Sequence, residues 1–262
     1  MQKIISWNVA SVRARLPVLI DFLVREKPDC MFLQEIKATE ENFPFFDFQM
    51  AGYTSVISGQ KSYNGVAILS RCPPVSVKTE LTGFTDQARF IQTETKSGVV
   101  LICVYVPNGN PPDKNPMDTT RLTYKLRWMA ALGDHIQNLI RSGKEVVLGG
   151  DFNVIERDYD VYQPDLFRES ALMIPPVRQA YADLTKGLIN VVRQYNAAEK
   201  SYSFWDFQGG AWPKNNGILL DALWVTPTLA QHVVGANIYK SVRGMKGTSD
   251  HVPVGLMTTD LL

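Results

Sequence analysis

Carboxylate and amide side chains stand at the ends of several apolar segments that are typical of strands. The segment IISWN ends on Asn8, MFLQE ends on Glu35, and VVLGG runs into Asp151 and Asn153. One Asp or Asn after a strand is the ordinary mark of a turn. Polar residues at several strand ends, from distant parts of the chain, are what a polar site at a sheet edge requires. We therefore predict that these side chains meet.

A histidine and two further carboxylates extend this set. Asp250 and His251 come just before the last apolar run, and a histidine acts well near neutral pH. Asp221 lies inside the apolar run LLDALW, where burial without a partner is costly. It is either a core carboxylate bonded to backbone amides or the group that orients the His251 ring. The presence of His251 favours the second; we predict structural or surface roles for His135 and His232.

The chemistry of this set is that of a hard cation and a phosphate. Carboxylate and amide oxygens with few nitrogens suit Mg²⁺ or Mn²⁺ and do not suit zinc. A hard cation held by one or two carboxylates usually serves phosphate chemistry. The cysteines, Cys30, Cys72 and Cys103, are far apart and lack metal-site spacing. We predict three reduced, mostly buried thiols.

Composition restricts the class of protein. The 262 residues are 45% hydrophobic and 20% charged, as in ordinary globular proteins, and the formal net charge is +1. A nucleic-acid partner would therefore need a local basic surface. No apolar run approaches the roughly 20 residues of a membrane helix, and the first apolar run is too short for a signal-peptide core. We expect a cytoplasmic protein, not bound to membranes, and a monomer.

The sequence predicts both strands and helices to position these residues, and the two do not alternate strictly along the chain. Short runs rich in β-branched residues predict strands at 3–8, 30–35, 53–58, 65–70, 90–95, 99–106, 145–150, 219–225 and 253–258. Apolar periodicity predicts helices at 13–26, before Pro28, at 119–141 and at 176–187. Pairs at 53–70 and 90–106 resemble hairpins. The pattern indicates an α/β sandwich of packed mixed sheets with helices outside, in one domain.

Two backbone features belong to the predicted site. The Pro-, Asn- and Gly-rich loop 107–120 is too long for a routine turn and is a candidate functional loop. Gly149 and Gly150 interrupt the strand that leads to Asp151. We expect them to let the backbone turn sharply and approach a substrate.

The motifs together resemble a known family. In order, they are SWNVASVRAR, FLQEIK, YNGVAILS, ARFI, VYVPNGN, LGGDFNV, YSFWDFQGGAWPKNNG and SDHVPV. They are similar to those of the exonuclease III family of apurinic/apyrimidinic (AP) endonucleases, within the wider endonuclease/exonuclease/phosphatase fold. Each motif is weak alone, but their order covers nearly the whole chain.

The resemblance implies a fold and an activity. The fold would be a four-layered α/β sandwich, two packed mixed β-sheets flanked by helices, as a single domain over residues 1–262. The activity would be Mg²⁺- or Mn²⁺-dependent hydrolysis of phosphodiester bonds in double-stranded DNA. The implied substrates are abasic sites, 3′ nucleotides and 3′-blocked ends.

The resemblance also implies roles for the polar residues near the cation. Glu35 would be the main metal ligand and Asp250 another site carboxylate able to bind the metal. Asn8 would lie nearby and bond the site or a water on the metal.

Further roles concern the water and the phosphate. The resemblance implies that Asp151 orients or deprotonates the attacking water, while Asn153 and Tyr105 contact the phosphate. Asp221 would pair with His251. The general base is open at this point, because both Asp151 and His251 suit it.

The residues that the resemblance places against DNA also have simpler structural interpretations. Trp205 would pack against the sugar at an abasic position, although a core tryptophan is nearly as good an interpretation. Arg89, Asn108 and Lys37 would face the DNA backbone, although a solvated surface charge is the usual interpretation of such cations. Arg121 preserves a commonly basic position.

Three positions depart from the family pattern. Ala10 stands where the family usually has Asn or Asp, Leu219 replaces an Arg, and Ala222 replaces a frequent His or Tyr. The catalytic set is intact and the periphery is altered, which suggests a divergent paralogue with narrowed activity.

Two other functions compete with a DNA-repair nuclease. The same site chemistry would serve a phosphatase or phosphodiesterase of this fold on a non-DNA substrate, because fold does not fix substrate. A non-catalytic DNA-binding paralogue is the other alternative. The motif order and the SFWDFQGGAW stretch favour DNA. The set that argues against loss of catalysis is intact and consists of Glu35, Asp151, Asn153, Asp221 and His251.

Overall fold

The protein is described here by a computed structural model covering residues 1–112, 114–198 and 200–259. Its strands are β1 (Gln2–Asn8), β2 (Cys30–Gln34), β3 (Thr54–Ser58), β4 (Val66–Ser70), β5 (Ser76–Lys78), β6 (Phe90–Glu94), β7 (Val100–Tyr105), β8 (Val146–Asp151), β9 (Ile189–Asn190), β10 (Asp221–Val225), β11 (Val233–Ile238) and β12 (Val254–Thr258). Its α-helices are α1 (Leu16–Glu26), α2 (Phe45–Met50), α3 (Thr120–Arg141), α4 (Pro175–Leu184), α5 (Val191–Tyr195), α6 (Ala211–Lys214) and α7 (Pro227–Ala230). Short 3₁₀ turns occur at Glu40–Asn42, Asp158–Asp160, Pro164–Phe167 and Lys240–Gly244.

The strands pair into two six-stranded mixed sheets. The first sheet has the order β11-β12-β1-β2-β4-β3 and the second has the order β5-β6-β7-β8-β10-β9. Each contains one parallel pair, β1 with β2 and β7 with β8, joined by α1 and α3 respectively. A parallel pair needs such a crossover, because its strands run in the same direction. Strand β12 fills a central place between β11 and β1.

Alternate residues of the strands build three apolar layers. In β1, Ile4 joins the core between the two sheets, and Ile5 and Trp7 face α1 on the outside of the first sheet. In β8, Val147 joins the same inner core, and Leu148 faces α3 and α4 on the outside of the second sheet. This period-two alternation is the ordinary geometry of a strand. The predicted sandwich of two packed mixed sheets flanked by helices is confirmed.

Most predicted elements are confirmed to within three residues at either end. All nine predicted strands, both hairpins and the three longer helices are present. The sequence analysis missed β5, β9 and β11 and the short helices. These strands are short or glycine-containing and lie at sheet edges, where neighbouring strands define the pairing more than local residue type does.

The two glycines before Asp151 have a different purpose from the one expected. They do not end the strand, because β8 continues to Asp151. A Cβ on Gly149 would lie 2.5 Å from Leu223 Cδ2 and 2.8 Å from Phe32 Cδ2. A Cβ on Gly150 would lie 1.9 Å from the backbone oxygen of Val104. Both glycines therefore allow close contact within the protein, and the expectation that they interrupt the strand with a sharp turn was wrong.

One expectation about the cysteines is also corrected. Cys30 and Cys103 are buried as predicted, but Cys72 is exposed in the loop after β4. All three are free thiols. Among the helices of the described ranges, none has the length and apolar character needed to cross a membrane.

Candidate active site

The polar residues at the strand ends lie together at one edge of the two sheets. Asn8 ends β1 beside the last residue of the parallel strand β2, and Glu35 follows directly. The parallel pair β7 and β8 places Tyr105 opposite Asp151 in the same way. The antiparallel strand β10 begins at this edge, with Asp221 opposite Asp151. The convergence predicted from the strand ends is present in the fold.

Asn8 links the two sheets. Its side chain is fully buried, and its Nδ2 donates to Glu35 Oε1 and to Asp151 Oδ2, each at 2.9 Å. Its Oδ1 accepts from the backbone N–H of Ala10 at 3.1 Å. A buried amide with its donors and acceptor in use holds one orientation. Asn8 therefore fixes the distance between the carboxylates of the two sheets.

Glu35 is the partly exposed carboxylate of the site. Its Oε1 also accepts from the Tyr105 hydroxyl at 2.9 Å, and its Oε2 is ion-paired with Lys37 at 2.8 Å. Burial works to raise the pKa of Glu35, but hydrogen bonds from Lys37 and Asn8 outweigh it and lower the pKa below its usual range. Burial and the Glu35 charge raise the pKa of Tyr105 well above normal. Glu35 is therefore an ionised acceptor beside a protonated phenol.

The residues around Glu35 fit a hard divalent cation. Glu35 offers an ionised oxygen with a partly exposed side chain, which is the donor that Mg²⁺ and Mn²⁺ prefer. Asp250 is also partly exposed, and its Oδ1 accepts from Ser249 Oγ at 3.0 Å. Mg²⁺ keeps several waters and needs only one or two carboxylates, so the two need not touch. Among the described residues, the group whose donor atoms lie within 4.8 Å of one another is Asp151, Asp221 and His251.

In that compact group, a hydrogen bond joins His251 to Asp221, and Ser203 supports the Asp221 carboxylate. His251 Nδ1 lies 2.8 Å from Asp221 Oδ2, and Ser203 Oγ donates to the same oxygen at 2.6 Å. The backbone N–H of Asp221 donates in turn to Ser203 Oγ at 3.1 Å. The imidazole therefore presents Nε2 toward Asp151, with 3.7 Å between Nε2 and Oδ2. That distance is too long for a hydrogen bond and leaves Nε2 free to bond a ligand.

Burial and charge move the pKa values of this group in directions that suit proton transfer. Burial acts to lower the pKa of His251, but the Asp221 and Asp151 carboxylates outweigh it and raise the pKa. Burial raises the pKa of Asp151; the Asp221 charge adds to this and His251 opposes it. The raised pKa of His251 favours an imidazolium donor near neutral pH, and the raised pKa of Asp151 brings that group toward the range in which it exchanges a proton.

The substitution Asp221→Asn should lower the pKa of His251. It removes the largest favourable charge beside the imidazolium, while the amide keeps a similar shape. Because the pKa of His251 is raised in the wild-type protein, protonated His251 stabilises the folded state. This contribution to the free energy of unfolding is fully present below the unfolded pKa of roughly 6.5 and is lost as pH rises through the folded value. NMR titration of the His251 ring, with His135 and His232 as internal references, measures the shift. An unchanged His251 titration in Asp221→Asn would contradict this electrostatic account.

Asn153 and Asn108 lie on the other side of Asp151. The backbone N–H of Asn153 donates to Asp151 Oδ1 at 2.9 Å, and its Nδ2 donates to the Val106 carbonyl at 2.9 Å. Asn108 Nδ2 donates to Asn153 Oδ1 at 3.3 Å. Asn153 has a φ of 50°, in the left-handed region. The exposed Asn108 and the mostly buried Asn153 thus present an amide pair beside the carboxylate.

An open groove of about 820 Å³ adjoins this side of the site. Arg89, Asn108 and Arg121, all predicted to contact DNA, are among its lining residues. Arg89 also supports the site, because its guanidinium lies 4.7 Å from the centre of the Tyr105 ring and donates to the Tyr105 carbonyl at 3.2 Å. Lys37, the fourth predicted backbone contact, is committed to Glu35. The groove therefore has cations in its wall, with Asp86 beside them, and meets the site at Tyr105 and Asn108.

The structure corrects the prediction for Trp205. Its side chain is 0% exposed, packs against Trp212 at 5.0 Å between ring centres and donates through Nε1 to Asn215 Oδ1 at 3.3 Å. It is a core residue, so it has no surface for a sugar. The neighbouring Phe204 is partly exposed, and its ring centre lies 4.9 Å from that of His251. Phe204, and not Trp205, is therefore the aromatic residue of this segment that lies beside His251.

Several supporting residues escaped the sequence analysis. Phe204 is adjacent to the residue that was chosen, and the motif does not tell which of two neighbouring rings faces the site. Ser203 and Lys125 bond to the site from an extended segment and from α3. Their signals in the sequence are weak, because a serine and a helical lysine are common. Ser249, which donates to the Asn8 carbonyl at 2.7 Å, had a signal in the SDH motif.

Leu219, where the family pattern has an Arg, is a mostly buried residue in this fold. Its side chain is 8% exposed, and its backbone N–H donates to the Asp160 carbonyl at 2.8 Å. Ala222 is also buried and belongs to the apolar layer under α4. These two altered positions are thus both buried in this fold.

Known proteins share both the sequence and the geometry. A family model described as "Endonuclease/Exonuclease/phosphatase family" matches residues 5–251. An exodeoxyribonuclease of Bacillus subtilis is 30% identical over 263 residues, covering 97% of this chain and 98% of that protein.

Two solved structures superpose over nearly the full length. An AP endonuclease from Archaeoglobus fulgidus gives a TM-score of 0.92 at 33% identity and covers 98% of this chain and 99% of its own. A 3′ phosphatase from Neisseria, solved bound to a product DNA hairpin, gives a TM-score of 0.93 at 33% identity, covering 99% and 100%.

Proposed function

The chain belongs to the exonuclease III group of the endonuclease/exonuclease/phosphatase family, and from that membership we propose that it is a DNA-repair nuclease. It hydrolyses phosphodiester bonds in duplex DNA with the help of a divalent cation. The observation that carries the proposal is the pair of unlike carboxylates joined by Asn8. Glu35 is ionised and partly exposed, while Asp151 is buried beside a protonated histidine.

The geometry supports Asp151 as the general base. Its raised pKa brings the carboxylate close to the range in which a base is effective near neutral pH. His251 is a poorer base, because its raised pKa keeps it protonated. Its free Nε2–H is instead a donor for a phosphate oxygen as charge builds on it. Asp221 holds the imidazole in that orientation from behind.

The remaining residues bind and orient the phosphate. Glu35 and Asp250 would hold the cation, which would supply positive charge to stabilise the phosphate and the leaving oxygen. The Tyr105 phenol, which donates to Glu35 in the free protein, would have to turn its O–H from Glu35 to the phosphate, and Asn153 and Asn108 supply amide groups on the other side of Asp151. Such fixed donors stabilise developing charge without having to reorganise.

The substrate proposed is double-stranded DNA that carries an abasic site or a 3′-blocked end. The two relatives are named for these activities, and the groove beside the carboxylates carries Arg89 and Arg121, which suit a phosphate backbone. The partly exposed ring of Phe204 lies next to His251, and we propose that a sugar without its base packs there. We also propose a cytoplasmic monomer, in keeping with its free thiols.

The test uses purified protein on matched duplexes. One duplex contains a single abasic analogue, one contains a nick and one ends in a 3′ phosphate, each with and without Mg²⁺ or Mn²⁺. We expect cleavage on the 5′ side of the abasic analogue, removal of the 3′ phosphate, or both, only with the cation. Soluble phosphate esters serve as the control substrate.

Two results would overturn the proposal. Hydrolysis of the soluble esters without any cleavage of DNA would identify a phosphatase for another substrate. Metal-independent DNA binding without turnover on any duplex would identify a non-catalytic paralogue. Relative rates on the three duplexes then rank the activities.

A further inference from the structure

Lys125 is a buried cation that the proposed chemistry does not use. It lies on α3, and its side chain is 0% exposed. Its Nζ donates to three backbone carbonyls, those of Asn108 at 3.0 Å, Asn153 at 2.6 Å and Ala171 at 2.8 Å. An ammonium has three N–H donors, so each is in use.

The three carbonyls belong to segments that are far apart in the chain. They come from the loop after β7, the turn after β8 and the loop before α4. Gly109 has a φ of +85°, and a Cβ there would lie 2.7 Å from Lys125 Cδ and 3.2 Å from Ala171 Cβ. The loop after β7 therefore lies directly on the lysine stem. Asn110 Oδ1, which accepts from the Ala171 N–H at 2.8 Å, ties the same loop to the third segment.

Burying the charged ammonium of Lys125 costs free energy that a buried apolar side chain would not cost. Burial lowers the pKa of Lys125 to about 7, and the Asp151 carboxylate opposes this shift. A methionine would fill a similar volume without a buried charge. What a methionine lacks is the set of donors that joins the three segments. The clamp on the backbone is thus the property that distinguishes lysine at this position.

Two of the clamped residues are the amides proposed to contact the phosphate. Asn153 has a left-handed backbone, which costs free energy for a residue other than glycine and persists only when its surroundings hold it. Lys125 holds its carbonyl, and Asp151 holds its N–H. Asn108 is held by the same ammonium, and its Nδ2 meets Asn153 Oδ1 at 3.3 Å.

We propose that Lys125 is a positioning residue whose ammonium clamps the backbone of Asn108 and Asn153, so that both amides face the scissile phosphate. The inference rests on the proposed function where it assigns the phosphate contact. The clamp itself is a property of the fold and has its own readout. Lys125 touches no reacting atom.

The kinetic test compares Lys125→Met with Lys144→Met on the abasic duplex. Lys144 is a surface residue paired with Glu94, so its variant controls for loss of a lysine charge. We expect Lys125→Met to lower kcat by roughly 10- to 100-fold, the size of effect seen when catalytic groups are misplaced by about 1 Å, with KM changed less. Lys125→Gln retains two amide donors and should lose less. Equal rates in Lys125→Met and wild type would overturn the proposal.

A double-mutant cycle separates positioning from loss of folded protein. Asn108→Ala should reduce the rate in the wild-type background and reduce it much less in Lys125→Met, because the amide is already displaced. Independent, multiplicative losses would show that Lys125 has only a structural role and would overturn the proposal. If Lys125→Met does not fold, the same cycle is run with Lys125→Gln and has the same two outcomes.

Amide hydrogen exchange tests the clamp without catalysis. Residues 106–110 and 152–155 should exchange faster in Lys125→Met than in wild type, while strands β1 and β2 should not change. Unchanged exchange in both segments would overturn the clamp even if wild type cleaves DNA. Faster exchange in a protein that cleaves no DNA would retain the clamp and reject the proposed function instead.

Discussion

Asp151→Asn should reduce the turnover of DNA by about 10³- to 10⁴-fold, which is the upper part of the range that a general base contributes. Asn has nearly the shape of Asp but cannot accept a proton from water. Its Oδ1 can still accept from the Asn153 N–H, so the turn after β8 is preserved. The new Nδ2, however, would face the donor Nδ2 of Asn8, which now bonds to Asp151 Oδ2. The loss thus includes the base and one link between the sheets.

Single-turnover cleavage of the abasic duplex measures this effect, and fluorescence anisotropy in EDTA measures binding. We expect the affinity of the variant for DNA to stay within about threefold of the wild-type affinity. Asp151 is buried, and its negative charge does not attract the DNA phosphates. Asp183→Asn, an exposed residue of α4, is the matched control. Retention of more than about a hundredth of the wild-type rate would be inconsistent with the roughly 10²-fold minimum contribution of a general base and would return that role to His251.

Glu35→Gln should weaken cation binding and lower activity by at least about 100-fold, the upper end of what loss of a ligand's supporting bond alone costs. Gln keeps an oxygen that can accept from Asn8 and Tyr105, but it removes the ligand charge. It also releases Lys37 from its ion pair. The affinity for Mn²⁺, from titration calorimetry or electron paramagnetic resonance, should fall in parallel with the rate.

The chain contains a close control for this substitution. Glu94 and Lys144 form an ion pair of 2.7 Å, with side chains 25% and 39% exposed, against 20% and 31% for Glu35 and Lys37. Glu94→Gln removes the same charge in a similar setting at the far edge of the second sheet. It should leave Mn²⁺ affinity and activity unchanged. An Mn²⁺ affinity in Glu35→Gln equal to wild type would place the cation elsewhere.

The central strands could be predicted from the sequence because strands that are buried on both faces consist almost entirely of apolar residues. Segments such as VVLICVY and VVLGG are apolar on both faces, since each strand lies between a helix layer and the other sheet. The edge strands β5 and β9 have two or three residues and mixed burial. Their conformation depends on the neighbour they pair with, and no local pattern records it.

The site could be predicted only as far as strand ends define it. Asn8, Glu35 and Asp151 follow apolar runs, so topology alone brings them to one edge. The sequence did not show which of two neighbouring aromatic side chains faces the site. Trp205 was predicted to do so, but it is buried in the core, and Phe204 lies beside His251. Lys125 was invisible because its partners are backbone carbonyls, whose positions depend on the folded loops and not on residue type.

Strand β12 has a consequence for how the protein is made. It fills the gap between β11 and β1, and His251 stands just before it, yet it follows the other eleven strands of the two sheets in the chain. A growing polypeptide on the ribosome therefore contains Glu35 and Asp151 long before it can complete the imidazole side of the centre. A chain interrupted by a premature stop codon at this point would have an open sheet and no working nuclease. Its unpaired strand edges would instead expose it to chaperones and proteases.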